Sequence, residues 1–200
     1  MGSCLQPYPG GSGVTTALLV MDVQVGIVNR YANDATLVDR LRRAIEAARR
    51  ASIRVIYVVV GFRSDYAEVS PNNRGFSAIA QSGAYSDGDA NRAVHPDIAP
   101  QTGDIVVTKK RVSAFAGSDL EMVLRAQQID HLILSGISTS GVVLSTMRQA
   151  ADLDFRLTVL ADGCADGDPE VHRVLIDKVF ARQADVVTID RWVDGLREGS

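Results

Sequence analysis

LILSGISTSGVV, residues 132–143, is an apolar run that ends in small and hydroxyl-bearing residues before apolar residues resume. This pattern is typical of a buried strand that turns directly into a helix. In an open α/β sheet, such a turn forms the floor of a ligand site, and its successive backbone N–H groups suit an oxyanion or a carboxylate. The stretch therefore predicts a site at residues 136–142. An ordinary tight strand-to-helix connection is the alternative.

Strand and helix patterns alternate along most of the chain. Apolar, β-branched runs predict strands at residues 16–23, 53–60, 104–108, 131–135, 156–161 and 184–189. Helical patterns cover residues 34–52 and 140–154, and two further helices begin at Ser118 and after Asp168-Pro169. This order predicts an α/β fold with a parallel sheet covered by helices on both faces. The irregular segment 61–104 is predicted to be a lid, a binding loop or an oligomer contact, with a short helix near 77–82.

Composition limits the class of protein. The chain has 200 residues, of which 46% are hydrophobic, and we expect a single domain over residues 15–200 after a flexible tail at 1–14. The net charge of -3 has no long run of one sign, so neither nucleic acid nor a membrane surface is an expected partner. No secretory signal or bilayer-length apolar run is present, which favours a cytoplasmic protein. The two cysteines and three scattered histidines predict no disulfide, metal or cofactor site.

Polar residues follow the predicted strands at one edge of the sheet. Asp22 and Lys109 are candidates for a proton-transfer pair, because a carboxylate beside an ammonium can accept and release a proton. A plain salt bridge or helix cap is the alternative for Asp22. Gln24 is expected either to support the site from behind the residues that contact a ligand or to contact a ligand through its amide, with loop capping as the alternative. Arg63 is expected either to bind a substrate carboxylate or to be a solvated loop residue.

The 136–142 turn also resembles the elbow of serine hydrolases, although Ser140 replaces the final glycine of that motif. His172 could partner Ser138 or Ser140, which leaves serine catalysis as a third possibility. Cys164 lies just beyond the fifth predicted strand and is read as a small buried hydrophobe.

Four motifs, in this order along the chain, match those of a known family. They are LLVMDVQ (18–24), VVTKKRVSAFAGSDL (106–120), GISTSGVVLSTMRQAADLDF (136–155) and LADGCADGDPEVH (160–172). From about Thr16 to Val193 the chain resembles the isochorismatase-like hydrolase superfamily, which includes nicotinamidases, carbamoylsarcosine amidases and isochorismatases. The resemblance implies a Rossmann-like, three-layer αβα fold with a mostly parallel six-stranded sheet. It also implies a homodimer or homotetramer and a small-molecule substrate.

The resemblance further implies a catalytic triad in which one member is missing. Asp22 and Lys109 match the aspartate and the lysine of the cysteine members, but Val142 occupies the position of the cysteine nucleophile. Cys164 belongs to a different motif and does not replace it. A non-proline cis peptide is expected between Ile137 and Ser138.

Isochorismatases lack the cysteine and hydrolyse a vinyl ether by proton transfer and water attack. The metal-binding Asp-x-His segment of nicotinamidases is also absent, because GFRSDY stands at 61–66. The resemblance thus implies a hydrolase in which Asp22 is the general acid/base and Lys109 tunes it. Backbone N–H groups near Gly141 and Val142 would hold the substrate, with Ser138 and Phe115 beside it. The alternative is an inactive family member that acts as a ligand-binding or scaffold protein.

Overall fold

The computed structural model describes residues 15–31 and 34–198, so the tail predicted at 1–14 lies outside the described residues. The strands are β1 (Thr16–Met21), β2 (Arg54–Val60), β3 (Ile105–Lys109), β4 (His131–Ile137), β5 (Arg156–Ala165) and β6 (Asp185–Val187). The helices are α1 (Val25–Tyr31), α2 (Leu37–Arg50), α3 (Arg74–Ser82), α4 (Leu120–Ala126), α5 (Leu144–Asp152), α6 (Pro169–Val174) and α7 (Ile189–Glu198).

The six strands form one sheet in the order β3-β2-β1-β4-β5-β6, and every neighbouring pair is parallel. Successive side chains of a strand point to opposite faces, so the central strand β1 contributes to two cores. Leu19 and Met21 pack with α4 and α5 on one face, whereas Leu18 and Val20 pack with α2 and α7 on the other. The predicted three-layer αβα fold is confirmed, with a sheet that is parallel throughout.

Several element boundaries differ from the predictions. Helices α1 and α7 were not expected, and the predicted end of the last strand, Ile189, is instead the fully buried first residue of α7. Strand β5 continues to Ala165 because a register shift after Leu134 allows pairing to resume between Gly136 and Cys164. Cys164 is therefore a strand residue. Within the described ranges, no helix is both long enough and apolar enough to cross a membrane.

Candidate active site

The carboxyl ends of β1 and β3 bring Asp22 and Lys109 together across the end of β2. The Lys109 Nζ lies 2.9 Å from Asp22 Oδ2, and it also donates a hydrogen bond to the Arg111 carbonyl at 2.9 Å. Both side chains are buried, with 9% and 3% of the Asp22 and Lys109 side chains exposed. The two residues that sequence analysis paired thus form a buried ion pair.

The Asp22 carboxyl is well suited to exchange a proton. Burial raises its pKa above the ordinary value, while the charge and hydrogen bond of Lys109 act in the opposite direction. Its second oxygen, Oδ1, is buried and has no hydrogen-bond partner among the described residues. A buried oxygen without a partner is costly, so Oδ1 is the atom to which a water or substrate proton would be bound.

A cavity of about 950 Å³ opens over this pair. Asp22, Lys109 and Val142 line it, as do Ile27 from α1 and Phe76 from α3. Most other residues of the lining are apolar or uncharged, and they come from α1, from the 73–91 segment and from the turn after β4. A mostly apolar cavity with a few convergent polar groups is the usual form of a small-molecule site.

The turn after β4 forms the floor of the cavity. The peptide bond between Ile137 and Ser138 is cis, as the resemblance implied. Gly136 has a φ of +136°, and a Cβ at this position would lie 2.0 Å from the Met21 carbonyl oxygen, so only glycine fits between the two strands. The Gly141 N–H donates to the Ser138 Oγ at 3.1 Å and to the Ser138 carbonyl at 3.2 Å. This N–H is thus bonded within the turn, and its role in holding a substrate stays a prediction.

Val142 and Cys164 occupy contrasting places near this turn. Val142 lines the cavity with an aliphatic side chain that cannot attack a substrate. Cys164 is buried within β5 and does not line the cavity. Burial raises the pKa of the Cys164 thiol to about 12, which leaves it protonated at neutral pH. Its reading as a small buried hydrophobe agrees with this environment.

The Gln24 side chain forms hydrogen bonds with backbone groups and does not line the cavity. Its side-chain amide donates to the carbonyls of Val60 and Arg92 at 3.0 Å and 2.7 Å, and it accepts from the Val60 N–H at 2.8 Å. The side chain is fully buried and is not part of the cavity lining. These hydrogen bonds agree with the loop-capping interpretation, and a direct contact of Gln24 with a ligand stays a prediction.

Two other predicted contacts also lie outside the cavity lining. Arg63 is exposed and forms an ion pair with Glu68, with 2.8 Å between Nη1 and Oε1. Phe115 is buried in the core, where its ring packs against Phe155 at a centroid distance of 6.2 Å. Neither side chain belongs to the lining of this cavity, so contacts of Arg63 and Phe115 with a substrate stay predictions that the geometry does not support.

His172 is bonded to a threonine and not to a candidate serine nucleophile. Its Nδ1 lies 2.8 Å from Thr139 Oγ1, and burial lowers the pKa of the imidazole. Ser140 is exposed, and its N–H donates to Asp166. His172 thus anchors the turn, and the arrangement does not match a serine triad. Within the described ranges, no group of three His, Cys, Asp or Glu side chains could hold a metal ion.

The walls of the cavity include residues that sequence analysis did not identify. Ile27 and Arg30 come from α1, which was not predicted, and Ile79 and Tyr85 come from the irregular 61–104 segment. The isolated aromatic residues of that segment were the available signal, since large apolar side chains in a polar segment need a packing partner.

Comparisons with known proteins agree with this architecture. The family model described as "Isochorismatase domain" matches residues 16–191. The chain is 34% identical over 186 residues to the uncharacterized isochorismatase family protein YecD of Escherichia coli O157:H7, covering 91% of this chain and 96% of the relative. It is 32% identical over 210 residues to the ureidoacrylate amidohydrolase RutB of Yersinia enterocolitica, covering 90% and 86%.

Solved structures show the same fold. A cysteine hydrolase from Pseudomonas syringae pv. phaseolicola superposes with a TM-score of 0.86 at 23% identity over the full length of both chains. The N-carbamoylsarcosine amidase from Thermoplasma acidophilum superposes with a TM-score of 0.72 at 28% identity, covering 88% of this chain and 98% of that one. With the family model spanning nearly all of the described residues, the chain belongs to the isochorismatase family.

Proposed function

We propose that the protein hydrolyses a small molecule by using Asp22 and Lys109 as a proton-transfer pair, without a cysteine nucleophile. The observation that carries this proposal is the buried ion pair at the floor of the cavity, with 2.9 Å between Lys109 Nζ and Asp22 Oδ2. A buried charge pair is costly to maintain, and in a cavity it is typical of a site that performs proton chemistry.

The two oxygens of Asp22 have different tasks in this mechanism. Lys109 fixes Oδ2 and balances the negative charge that appears when the carboxyl loses its proton. Oδ1 delivers that proton to the leaving atom as the bond of the substrate breaks. Water then adds its oxygen to the other fragment and returns one proton to Asp22, which restores the starting state. The first step needs Asp22 protonated, and burial, which raises its pKa, makes that form easier to reach from the ion pair than it is for a solvated carboxylate.

The names of the relatives suggest which bonds to test first. RutB is named an amidohydrolase, and the Thermoplasma structure is named an amidase. Amides therefore belong in a substrate panel together with vinyl ethers of the isochorismate type and simple esters. Val142 argues against a covalent acyl-enzyme on a thiol, so substrates that need only proton transfer and water attack come first.

The test compares Asp22→Asn with the wild-type protein on any substrate of the panel that is turned over. Asparagine keeps the size of the side chain and tolerates the positive φ of +55° at this position, but it carries no exchangeable carboxyl proton. We expect turnover to be lost. Asp39→Asn, on the exposed surface of α2, is the matched control and should retain the wild-type rate. An unchanged rate in Asp22→Asn would reject the mechanism.

The second candidate function is ligand binding without turnover, which Val142 at the floor of the cavity favours. Thermal shifts with several members of the panel, combined with no product from any of them, would support it. A covalent serine adduct with a fluorophosphonate probe would instead support serine catalysis.

The homodimer or homotetramer and the cytoplasmic location remain predictions. Light scattering tests the first, since a mass of 21.5 kDa in solution would contradict it.

A further inference from the structure

Lys109 is the last residue of β3, and its side chain depends on the loop that follows. Residues 110–119 connect β3 to α4 without a helix or strand of their own. The Lys109 Nζ has two partners, Asp22 Oδ2 and the Arg111 carbonyl of this loop, both at 2.9 Å. A lysine ammonium stands on a flexible four-carbon stem, so its position is set by its partners. The group that fixes the loop therefore also fixes the ammonium.

Two side chains of helix α5 attach this loop to the rest of the fold. Thr146 Oγ1 accepts the Ala114 N–H at 2.9 Å, and Gln149 Oε1 accepts the Ser113 hydroxyl at 2.7 Å. Thr146 and Ala114 are both fully buried. Without the Thr146 hydroxyl, the Ala114 N–H would be buried without this acceptor, and a buried donor without an acceptor is costly. The loop is thus held in place mainly by Thr146.

Helix α5 also continues from the turn that forms the floor of the cavity. Thr146 and Gln149 follow Val142 at spacings of four and seven residues, which place the three on one side of a helix. The loop packs close to the turn itself, because Val112 Cγ1 lies 4.0 Å from the position that a Cβ on Gly141 would occupy. A single helix therefore determines the position of the turn and of the loop that holds the ammonium.

We propose that Thr146 is a positioning residue for Lys109, because it holds the loop whose Arg111 carbonyl accepts the Lys109 ammonium. With the loop in place, Nζ stays beside Asp22 and does not turn into the cavity. Thr146 itself does not line the cavity, so it acts through the loop. Its importance for turnover rests on the proposed function, whereas its control of the ion pair does not.

The simpler role for Thr146 is to satisfy a buried N–H and so to stabilise the fold. That role predicts a loss of stability when the hydroxyl is removed, but no change around Asp22 in the molecules that remain folded. The pKa of the Asp22 carboxyl separates the two roles, because the nearby charge of Lys109 lowers it and displacement of that charge would raise it.

The experiment measures the pKa of Asp22 by heteronuclear NMR titration, with the signal assigned from its absence in Asp22→Asn. Thr146→Val keeps the shape of the side chain and removes the hydroxyl, and we expect the pKa of Asp22 to rise by about 1. Thr146→Ser keeps the hydroxyl and should restore the wild-type value. Thr158→Val is the matched control, since Thr158 is also buried and its Oγ1 lies 2.9 Å from His131 Nε2, outside this cavity. It should leave the pKa of Asp22 unchanged.

Gln149→Met removes the second attachment and leaves every backbone N–H with its acceptor, so it decides the question if Thr146→Val does not fold. It should shift the pKa of Asp22 upward by a smaller amount. Two results would overturn the proposal. One is an unchanged pKa in folded Thr146→Val or, failing that variant, in Gln149→Met. The other is an equal rise in Thr158→Val.

Because the titration needs no substrate, its result is independent of turnover. A raised pKa of Asp22 in Thr146→Val, in a protein whose Asp22→Asn variant has an unchanged rate, would support the positioning role and reject the mechanism.

Discussion

The ends of β1 and β4 are neighbours in the sheet, with Met21 paired to Gly136, yet they carry opposite kinds of side chain. Asp22 follows β1 and forms a buried ion pair with Lys109. The turn after β4 presents Ser138 and Val142 to the same cavity and carries no charge there. The proposed proton-transfer pair thus lies on other strand ends than Val142, where the resemblance places the nucleophile, so one can be present without the other.

The largest effect on stability is expected from removing the cation of the Asp22–Lys109 ion pair. Lys109→Met leaves the Asp22 carboxylate buried without its cation, which should lower the free energy of unfolding by about 3–5 kcal/mol. The measurement is chemical denaturation at pH 7. The double variant Asp22→Asn/Lys109→Met has no buried charge at this place and should be more stable than Lys109→Met alone. A loss below about 1 kcal/mol in the single variant would mean that the pair is effectively solvated.

The contrast between the ends of β1 and β4 can be tested further by placing a thiol in the uncharged turn after β4. Val142→Cys, in a Cys4→Ser background, puts a thiol into the cavity that also contains Lys109, whose charge favours the thiolate. We expect iodoacetamide to label it about a hundredfold faster at pH 7.5 than Val143→Cys in the same background, because reactivity follows thiolate character and exposure. Val143 belongs to the same turn and is buried like Val142, but it does not line the cavity. Equal labelling of the two variants would place position 142 outside the cavity.

A third prediction concerns the thiol outside the cavity, Cys164. The unfolded thiol loses its proton near the ordinary pKa of 9.0, whereas the folded thiol keeps it until about pH 12. The unfolded state therefore binds fewer protons in this window, and stability should fall as pH rises, by up to about 1.4 kcal/mol per pH unit. Cys164→Ala should show a shallower decrease than wild type between pH 9 and pH 11 in denaturation experiments. Parallel curves would show that the pKa of the folded Cys164 thiol is not raised.

The smallest effect on the free energy of unfolding is expected from a substitution in the turn after β4. Ser138→Ala removes the hydroxyl that accepts the Gly141 N–H, but the Ser138 carbonyl accepts the same N–H at 3.2 Å. The free energy of unfolding should decrease by about 0.5–1 kcal/mol, at the low end for an N-cap. Ser140→Ala, in the same turn but exposed, is the control and should change stability by less than about 0.5 kcal/mol. A larger loss in Ser140→Ala than in Ser138→Ala would contradict this assignment.

The sheet and the charged pair were predictable because both depend on strong local patterns. Buried parallel strands are continuous β-branched runs, and the residues that follow them meet at one edge of the sheet. Asp22 and Lys109 could thus be paired from sequence, although β2 lies between their strands.

The walls of the cavity were not predictable in the same way. Helix α1 has only seven residues and contains Gly26, so its helical pattern is too short to recognise. Arg63 lies just beyond the end of β2, as Lys109 lies at the end of β3, but the Arg63 side chain pairs with Glu68, and sequence gives no information on that choice. The role of Gln24 stayed open in the sequence because its backbone partners, Val60 and Arg92, are distant in the chain.

The close approach of Gly136 to the Met21 carbonyl has a consequence for how this site can diversify. Without a side chain at Gly136, the ends of β1 and β4 are packed backbone against backbone, so the acid and the turn behave as one inflexible block. Changes in ligand preference must then come from the opposite side of the cavity, where α1 and the 73–91 segment can vary without disturbing the sheet. The floor would then change little among related proteins, whereas the walls would differ with the ligand that each protein binds.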